Sequence, residues 1–510
     1  MKLGLVQMMA APIEAYEDTA RRIVELTGRA CDEGAQMVLL PECAYPAYII
    51  GRDLERRFLE RLPWLLGQLQ ELAARRKVYV VLGAALPGEN GLENGVVVFG
   101  PDGAERGRAA KSNLWHFDGK WFVAGRTSFV FDTEYGRMGV MICADGRIPE
   151  IARMLRLQGA QMILDAVNLV ASAATPAQLS NQQYQFILPI RAWENGVPVA
   201  VCDKAGLESG AVCCLGRSFI ASARGEIVAQ CSPDKEEILV WDVEPAAPAP
   251  VTGRRPALYG ALCRTDAPRP VLPADPAQLE LFAALARFEA KDAGEYVEKA
   301  CGALALSRTM DARLTVLPPA GEFALEAEHI DALCAALGPG DVAVADCGGP
   351  RRAALVLRPT GEVQRLEPTH LPGATELIRT VELLDGCRAA VVFDGEAGVP
   401  EIARVAMLEG ADILIWLDAQ GATPDFPLAQ TRAAENKMFV LRSGPAGEKG
   451  RSYAISPDGA QLFTTFFTAE QIAAGMVNLA LSKCKTVVPG THILDGRIPD
   501  FYKPMTEQRS

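Results

Sequence analysis

Along the first half of the chain, short unbroken apolar runs alternate with longer stretches whose apolar residues recur three and four positions apart. KLGLVQM (2–8), QMVLLPE (36–42) and VYVVLGAAL (78–86) read as buried strands, and residues 16–33 between the first two carry helical spacing. GVVVFGPDG (95–103) is a further strand closing in a Gly/Asp turn that leads toward Lys111. RMGVMIC and AQMILDA (160–166) flank a helix containing PEIAR, and VPVAVCD (197–203) follows RAWEN. In the PEIAR helix, Ile151, Met154 and Leu155 form one buried stripe. Pro149 and Glu150 suit its first turn, which needs no N–H from proline and favours negative charge. Strand, helix and strand in alternation predict a layered α/β domain.

The pattern is written twice. GVMICADGRIPEIARMLRLQGA (139–160) returns as AVVFDGEAGVPEIARVAMLEGA (390–411), with PEIAR intact and Asp394 in the place of Cys143. ARLTVLPP (312–319) parallels AQMVLLPE, ALVLRPTGE (354–362) parallels VVVFGPDGA, and TRAAENKMFV (431–440) parallels IRAWENGVPV. RSYAISPDG (451–459) parallels RSFIASARG (217–225), and GRRPALY (253–259) parallels GRIPDFY (496–502). Matched blocks in one order mean an internal duplication with a domain-sized unit. The Pro- and Ala-rich stretches EPAAPAPVTG and TDAPRPVLPADPAQ lie between the copies. The expected domains are 1–262 and 263–510.

Bulk properties narrow the function. In 510 residues, 49% hydrophobic and 22% charged content is that of a globular protein of more than one domain. A net charge of −12 offers no excess of Lys and Arg to neutralise phosphates, which argues against a nucleic-acid partner. No apolar run is long enough for a bilayer, and the first residues read as a strand and not as a signal peptide, so no membrane role is expected. Thirteen cysteines without a CxxC, beside four histidines, argue against zinc and for inert thiols in a reducing cytoplasm. No cofactor is expected.

Cys143 ends a buried run and precedes a helix, a setting in which a thiol can reach the carboxyl edge of a sheet and gain thiolate character. Glu42 follows LLP at the end of another run, and Lys111 lies in RAAKSNL beyond the GPDG turn. Taken singly, these read as a packing thiol, a surface carboxylate and a solvated lysine. Together, in this order, they resemble the catalytic triad of the nitrilase superfamily, whose members hydrolyse carbon–nitrogen bonds in amides, carbamoyl groups and nitriles. The resemblance rests on LVQM, VLLPE, GxxGVMICADxxxPE, RAWEN and RSFIASARG. It covers residues 2 to 260, and in degraded form 300 to 502.

The resemblance implies two αββα sandwich domains in tandem, packed as an intramolecular pseudo-dimer, with a further homo-oligomer left open. It also implies roles. Cys143 is the nucleophile, Glu42 the general base, and Lys111 the stabiliser of the oxyanion with the backbone N–H of Ala144. Asp118, in HFDGKWFVAG, takes the place of a second glutamate found in many relatives, as a catalytic group or as a solvated loop carboxylate. Arg147 matches an arginine with which carbamoyl-amino-acid hydrolases grip a substrate carboxylate; a salt bridge beside the PEIAR helix is the alternative. Trp115, Trp121 and Phe122 line the pocket mouth or pack as a lid, and Asn168 faces the pocket or the core. Asp203 stands where relatives have asparagine, which alters the pocket wall.

The expected activity is therefore cysteine-dependent hydrolysis of an amide or N-carbamoyl group of a small molecule through a thioester. The alternatives are acyl transfer or a glutaminase role within the same superfamily, and a non-catalytic binding protein. In the second copy Pro319 stands for Glu42, Asp394 for Cys143, and Pro368 or Thr369 for Lys111, so no hydrolysis is expected there.

Overall fold

The structure is a computed structural model and describes residues 1–51, 57–125, 129–273, 275, 279–370, 377–421, 424–444 and 450–507. It divides into two compact units. Unit 1 is Met1–Thr252 with Thr486–Met505, and unit 2 is Gly253–Lys485 with Thr506–Ser510. The units are thus not the two contiguous halves of the sequence: GRRPALY belongs to unit 2 and GRIPDFY to unit 1.

Unit 1 holds two six-stranded sheets. The first runs Glu237–Asp242, Lys2–Gln7, Met37–Leu39, Tyr79–Pro87, Leu92–Phe99, Glu105–Ala110. The second runs Ile227–Gln230, Phe219–Ala221, Val199–Cys202, Met162–Ala166, Gly136–Ile142, Phe129–Thr133. Each is parallel at its centre and antiparallel at both edges. Alternate residues of the first sheet (Leu3, Leu5, Met37, Leu39, Val81, Val96) join Met138, Val140, Met162 and Leu164 of the second in one buried core. Their opposite neighbours (Val6, Val38, Leu40, Val80, Leu82) pack with helices α1 (Tyr16–Asp32) and α2 (Arg57–Arg76) in another. Helices α3 (Pro149–Leu157) and α4 (Leu188–Asn195) pack Ile151, Leu155, Leu188 and Ala192 against the other face of the second sheet, in a cluster continuous with the inter-sheet core. The layers are αββα. Helix α1 coincides with the spacing read from residues 16–33, whereas α2 had no counterpart in that reading.

Unit 2 repeats the layout. Its sheets run Val363–Leu366, Ala354–Leu357, Val342–Asp346, Leu314–Val316, Glu280–Arg287, Gln471–Asn478, and Val381–Leu384, Cys387–Phe393, Ile413–Leu417, Phe439–Ser443, Tyr453–Ile455, Gln461–Thr464. These are the strand orders of unit 1 with the same parallel centres. No helix among the described residues is long and apolar enough to cross a membrane.

The exchanged segments are packed parts of their units. In unit 1, the turn of 3-10 helix Pro499–Met505 lies against α3, burying Tyr502 and Met505, and the Tyr502 hydroxyl accepts from Ile498 N at 3.1 Å. In unit 2, Tyr259 repeats this with Arg255 N at 3.0 Å and stacks on His370, while Arg254 pairs with Glu401 of the second PEIAR helix at 2.9 Å. A buried side chain of this size contributes about 1.5–3 kcal/mol by burial alone. Tyr502→Ala is expected to lower the stability of unit 1 by about 3–5 kcal/mol in urea unfolding, the usual cost of deleting a buried aromatic.

Candidate active site

Four strand ends of unit 1 deliver the polar side chains that its sequence singled out. Glu42 follows Met37–Leu39, Lys111 follows Glu105–Ala110, Cys143 follows Gly136–Ile142, and Asn168 follows Met162–Ala166. Lys111 Nζ donates to Glu42 Oε1 at 2.7 Å and to Asp118 Oδ2 at 2.7 Å, and all three side chains are fully buried. Burial alone would push the Lys111 ammonium down, but the charges of Asp118 and Glu42 outweigh it and hold the group well above its ordinary range. Asn94 Nδ2 donates to the same Glu42 oxygen at 2.6 Å. Glu42 Oε2 and Asp118 Oδ1 are buried without a hydrogen bond among the described residues.

Local backbone accounts for this convergence. At Gly83 a Cβ would lie 2.0 Å from the Pro41 carbonyl oxygen and 2.9 Å from Glu42 Cα, so only glycine lets the segment carrying Glu42 approach the neighbouring strand. Cys143 has φ +51°, a left-handed conformation uncommon in a residue with a Cβ. Its N–H donates to Asp165 Oδ1 at 2.7 Å and its carbonyl accepts from Gln183 Nε2 at 2.8 Å, so buried partners fix the turn on both sides. Its Sγ faces the Asn168 carbonyl at 3.9 Å. Burial, and then the charge of Glu42, push the Cys143 thiol well above the ordinary range, against the opposing charge of Lys111. Burial thus opposes the thiolate at this cysteine. The thiolate expected from a neighbouring helix N-terminus gives way to desolvation.

The loop between Lys111 and Asp118 is held by Asp145, whose Oδ1 accepts from Ser112 N at 3.1 Å and Asn113 N at 2.8 Å. Burial raises the Asp145 carboxyl to about 6, with the Asn113 N–H bond and the charge of Lys111 opposing. Asn113 Nδ2 donates to the Ala144 carbonyl at 3.0 Å, tying the loop to the turn after the cysteine. Trp115 N donates to Asp118 Oδ2 at 2.9 Å, so Asp118 is a buried partner of Lys111 and not a solvated loop carboxylate. The Arg147 guanidinium lies 4.9 Å from the centre of the Trp115 ring and donates to Gln182 Oε1 at 2.8 Å. Asn168 Oδ1 accepts from Cys214 Sγ at 3.2 Å, and its buried Nδ2 makes no hydrogen bond among the described residues. Asp203 accepts from Leu169 N and Lys204 N, a backbone-fixing role.

Asn94, Asp145, Asp165 and Gln183 are among the residues of this network that were not singled out in the sequence. Asn94 sits in an Asn-Gly pair, which reads as a turn. Asp165 ends an apolar run, and an acid in so buried a strand was a usable signal. Gln183 carried none.

Unit 2 has the same scaffold with other side chains. Glu396 accepts from Thr369 N and His370 N, as Asp145 does from Ser112 and Asn113, which settles Pro368 as the counterpart of Lys111. Asp394 keeps the left-handed turn at φ +43°. It pairs with Arg352, which also donates to Asp346 Oδ2 at 2.6 Å. Strand register puts Asp346 at the position of Gly83, and Arg352 stands two residues before its strand, as Asn94 stands before Val96. A cavity of about 370 Å3 lies beside Pro319 and Ala419, the counterparts of Glu42 and Asn168.

The carbon-nitrogen hydrolase family model matches residues 2–249 and 350–483. The chain belongs to the carbon-nitrogen hydrolase family. Among curated relatives, it is 33% identical over 250 residues to a nitrilase of Pyrococcus abyssi, covering 48% of this chain and 90% of that protein. It is 30% identical to an omega-amidase of Xenopus laevis, over 48% of this chain and 88% of the relative. An N-carbamoylputrescine amidase of Solanum tuberosum is 28% identical, over 53% of this chain and 99% of the relative. Among solved structures, an amidase from Nesterenkonia sp. is similar over 48% of this chain and 91% of its own, with 23% identity and a TM-score of 0.43. The chain is thus a carbon–nitrogen hydrolase acting on bonds other than peptide bonds, with the family model matched in two regions. Among the described residues, no group of His, Cys, Asp and Glu is arranged to hold a metal ion.

The carboxylate–ammonium–carboxylate cluster makes a specific demand on stability. Lys111→Met would leave Glu42 and Asp118 buried without their counter-charge, and urea unfolding should register a loss of about 3–5 kcal/mol. Adding Asp118→Asn to that variant should recover part of the loss, because only one uncompensated acid then remains.

Proposed function

We propose that unit 1 hydrolyses the amide or N-carbamoyl group of a small molecule through a Cys143 thioester, and that unit 2 has no hydrolytic activity. The observation that carries this reading is the fully buried Glu42–Lys111–Asp118 cluster beside a thiol held at positive φ.

The geometry supplies each step. As a substrate carbonyl arrives, Cys143 Sγ attacks its carbon while the thiol proton passes to Glu42, whose Oε2 has no hydrogen-bond partner among the described residues. The carbonyl oxygen becomes an oxyanion, met by Lys111 and the Ala144 N–H. Lys111 has three N–H groups, of which Glu42 and Asp118 take two, leaving the third to stabilise this charge. A preorganised donor of this kind is worth about 3–4 kcal/mol of transition-state stabilisation. Collapse of the tetrahedral species breaks the C–N bond, Glu42 returns its proton to the departing nitrogen, and a thioester remains. Glu42 then takes a proton from water, whose oxygen attacks the thioester carbon. The acid leaves and Cys143 regains its proton. Asp118 keeps Lys111 charged and aimed throughout.

Asn168 Nδ2 and the Trp115 ring form the proposed substrate wall. The Arg147 guanidinium lies over that ring and donates to Gln182, beside the proposed wall. The names of the relatives, omega-amidase and N-carbamoylputrescine amidase, support small amides and carbamoyl compounds as substrates. In unit 2, Pro319, Pro368 and Asp394 offer no base, oxyanion donor or nucleophile.

Ammonia release from a panel of small amides, N-carbamoyl amino acids and nitriles should be seen with the intact chain and lost in Cys143→Ala. Hydroxylamine should divert the wild-type product to a hydroxamate, as a thioester requires. A panel member hydrolysed equally by Cys143→Ala would sink the reading. The pH profile should carry a second signature. Protonation of Asp145 below about pH 6 weakens its hold on Ser112 and Asn113, so kcat/KM should fall on the acid side with an inflection near that value. In Asp145→Asn, which cannot titrate, that inflection should be absent.

A further inference from the structure

The loop that carries Trp115 and Asp118 is gripped from outside by a segment that no sequence block connects with it. Thr486–Val488 and Thr491–His492 form a short hairpin that belongs to unit 1, although it follows the last sheet strand of unit 2 in the chain. Thr491 is only 6% exposed. Its hydroxyl donates to the Leu114 carbonyl at 3.1 Å and accepts from His116 N at 2.8 Å. One side-chain oxygen thus bridges the residues on either side of Trp115.

Two glycines bring the segment this close. A Cβ at Gly490 would lie 2.7 Å from the His116 carbonyl oxygen, and one at Gly496 would lie 2.6 Å from Asn113 Oδ1. The loop needs the restraint, because His116 has φ +50°, a conformation that persists in a residue with a Cβ only when its surroundings enforce it. From there the contacts run inward. Trp115 N–H orients Asp118 Oδ2, and Asp118 Oδ2 orients Lys111 Nζ. Asp145 holds the same loop from the inside through Ser112 and Asn113, so Thr491 supplies the opposite jaw.

We propose that Thr491 is a positioning residue for the active site of unit 1, so that the hairpin following the second copy completes the catalytic loop of the first. This rests on the hydrolase reading above. The hydroxyl acts through the Leu114 and His116 backbone and touches neither substrate nor reacting atoms.

The experiment uses the full chain with Thr491→Val, which keeps the shape of the side chain and deletes the hydroxyl, and Thr491→Ser, which keeps the hydroxyl. Steady-state kinetics, thermal unfolding and amide hydrogen exchange over residues 112–118 are measured on both. The valine variant should lose about 10-fold in kcat/KM, the size of one positioning hydrogen bond, with the larger part in kcat because Lys111 is what drifts. Its unfolding midpoint should stay near wild type, and the His116 and Asp118 amides should exchange faster. Serine should restore all three readouts. Wild-type kinetics and exchange in Thr491→Val, or a serine variant as impaired as the valine one, would overturn the proposal. Should the valine variant unfold early, Gly490→Ala, which presses on the His116 carbonyl from the same side, must reproduce the kinetic loss or the proposal fails. If the wild-type chain hydrolyses nothing, the hydrolase reading is what has failed, and the exchange of the His116 amide still decides whether Thr491 holds the loop.

Discussion

One ammonium group, dry and flanked by two carboxylates, sets the terms for the rest of unit 1. Charges in such a place are tolerated only when each is paired and hydrogen-bonded with good geometry. That requirement explains features that lie apart in sequence. Gly83 has no side chain so that Glu42 can come close, Asn94 takes up the Glu42 oxygen that Lys111 also uses, and Trp115 lends its N–H to Asp118. The same cluster bears on the state of the Cys143 thiol. Burial, and then the negative charge of Glu42, outweigh Lys111 and push the thiol up.

The turn at Cys143 survives in the second copy while its side chain does not. Asp394 keeps the positive φ, and aspartate is among the few residues that adopt it at modest cost. Its carboxylate finds Arg352, at the position of Asn94, and Arg352 finds Asp346, at that of Gly83. Two carboxylates paired to one guanidinium thus stand where unit 1 has Gly83, Asn94 and Cys143. What the two copies share is the backbone and the helix after it, as the retention of PEIAR already suggests.

The legible parts of the fold were those whose physics is local. The central strands are apolar runs, α3 announces itself by Pro149, Glu150 and its stripe, and the repetition of blocks reports the duplication directly. Glu42, Lys111 and Cys143 were found because each ends a recognisable strand block within an ordered family pattern. Asn94 was hidden because an Asn-Gly pair has the composition of a turn, while the structure uses it inside the strand Leu92–Phe99. Helix α2 begins beside residues of weak pattern and carries Pro63, which reads as a break. Thr491 could not be found at all. Its role depends on which unit its segment joins, and nothing in a stretch of sequence states its distant partner.

That assignment of segments has a consequence for how the chain is made. Unit 1 has nearly all its strands by Thr252, yet Tyr502, Met505 and Thr491 leave the ribosome only after the whole of the second copy. At roughly 5–20 residues per second, the nascent first unit waits tens of seconds with the α3 surface uncovered. During synthesis it is an unfinished domain with apolar surface in need of a cover, and a message cut short anywhere in the second half would leave it so permanently. The two copies are therefore bound in their biogenesis as well as in their descent: the second copy must be translated through before unit 1 is whole.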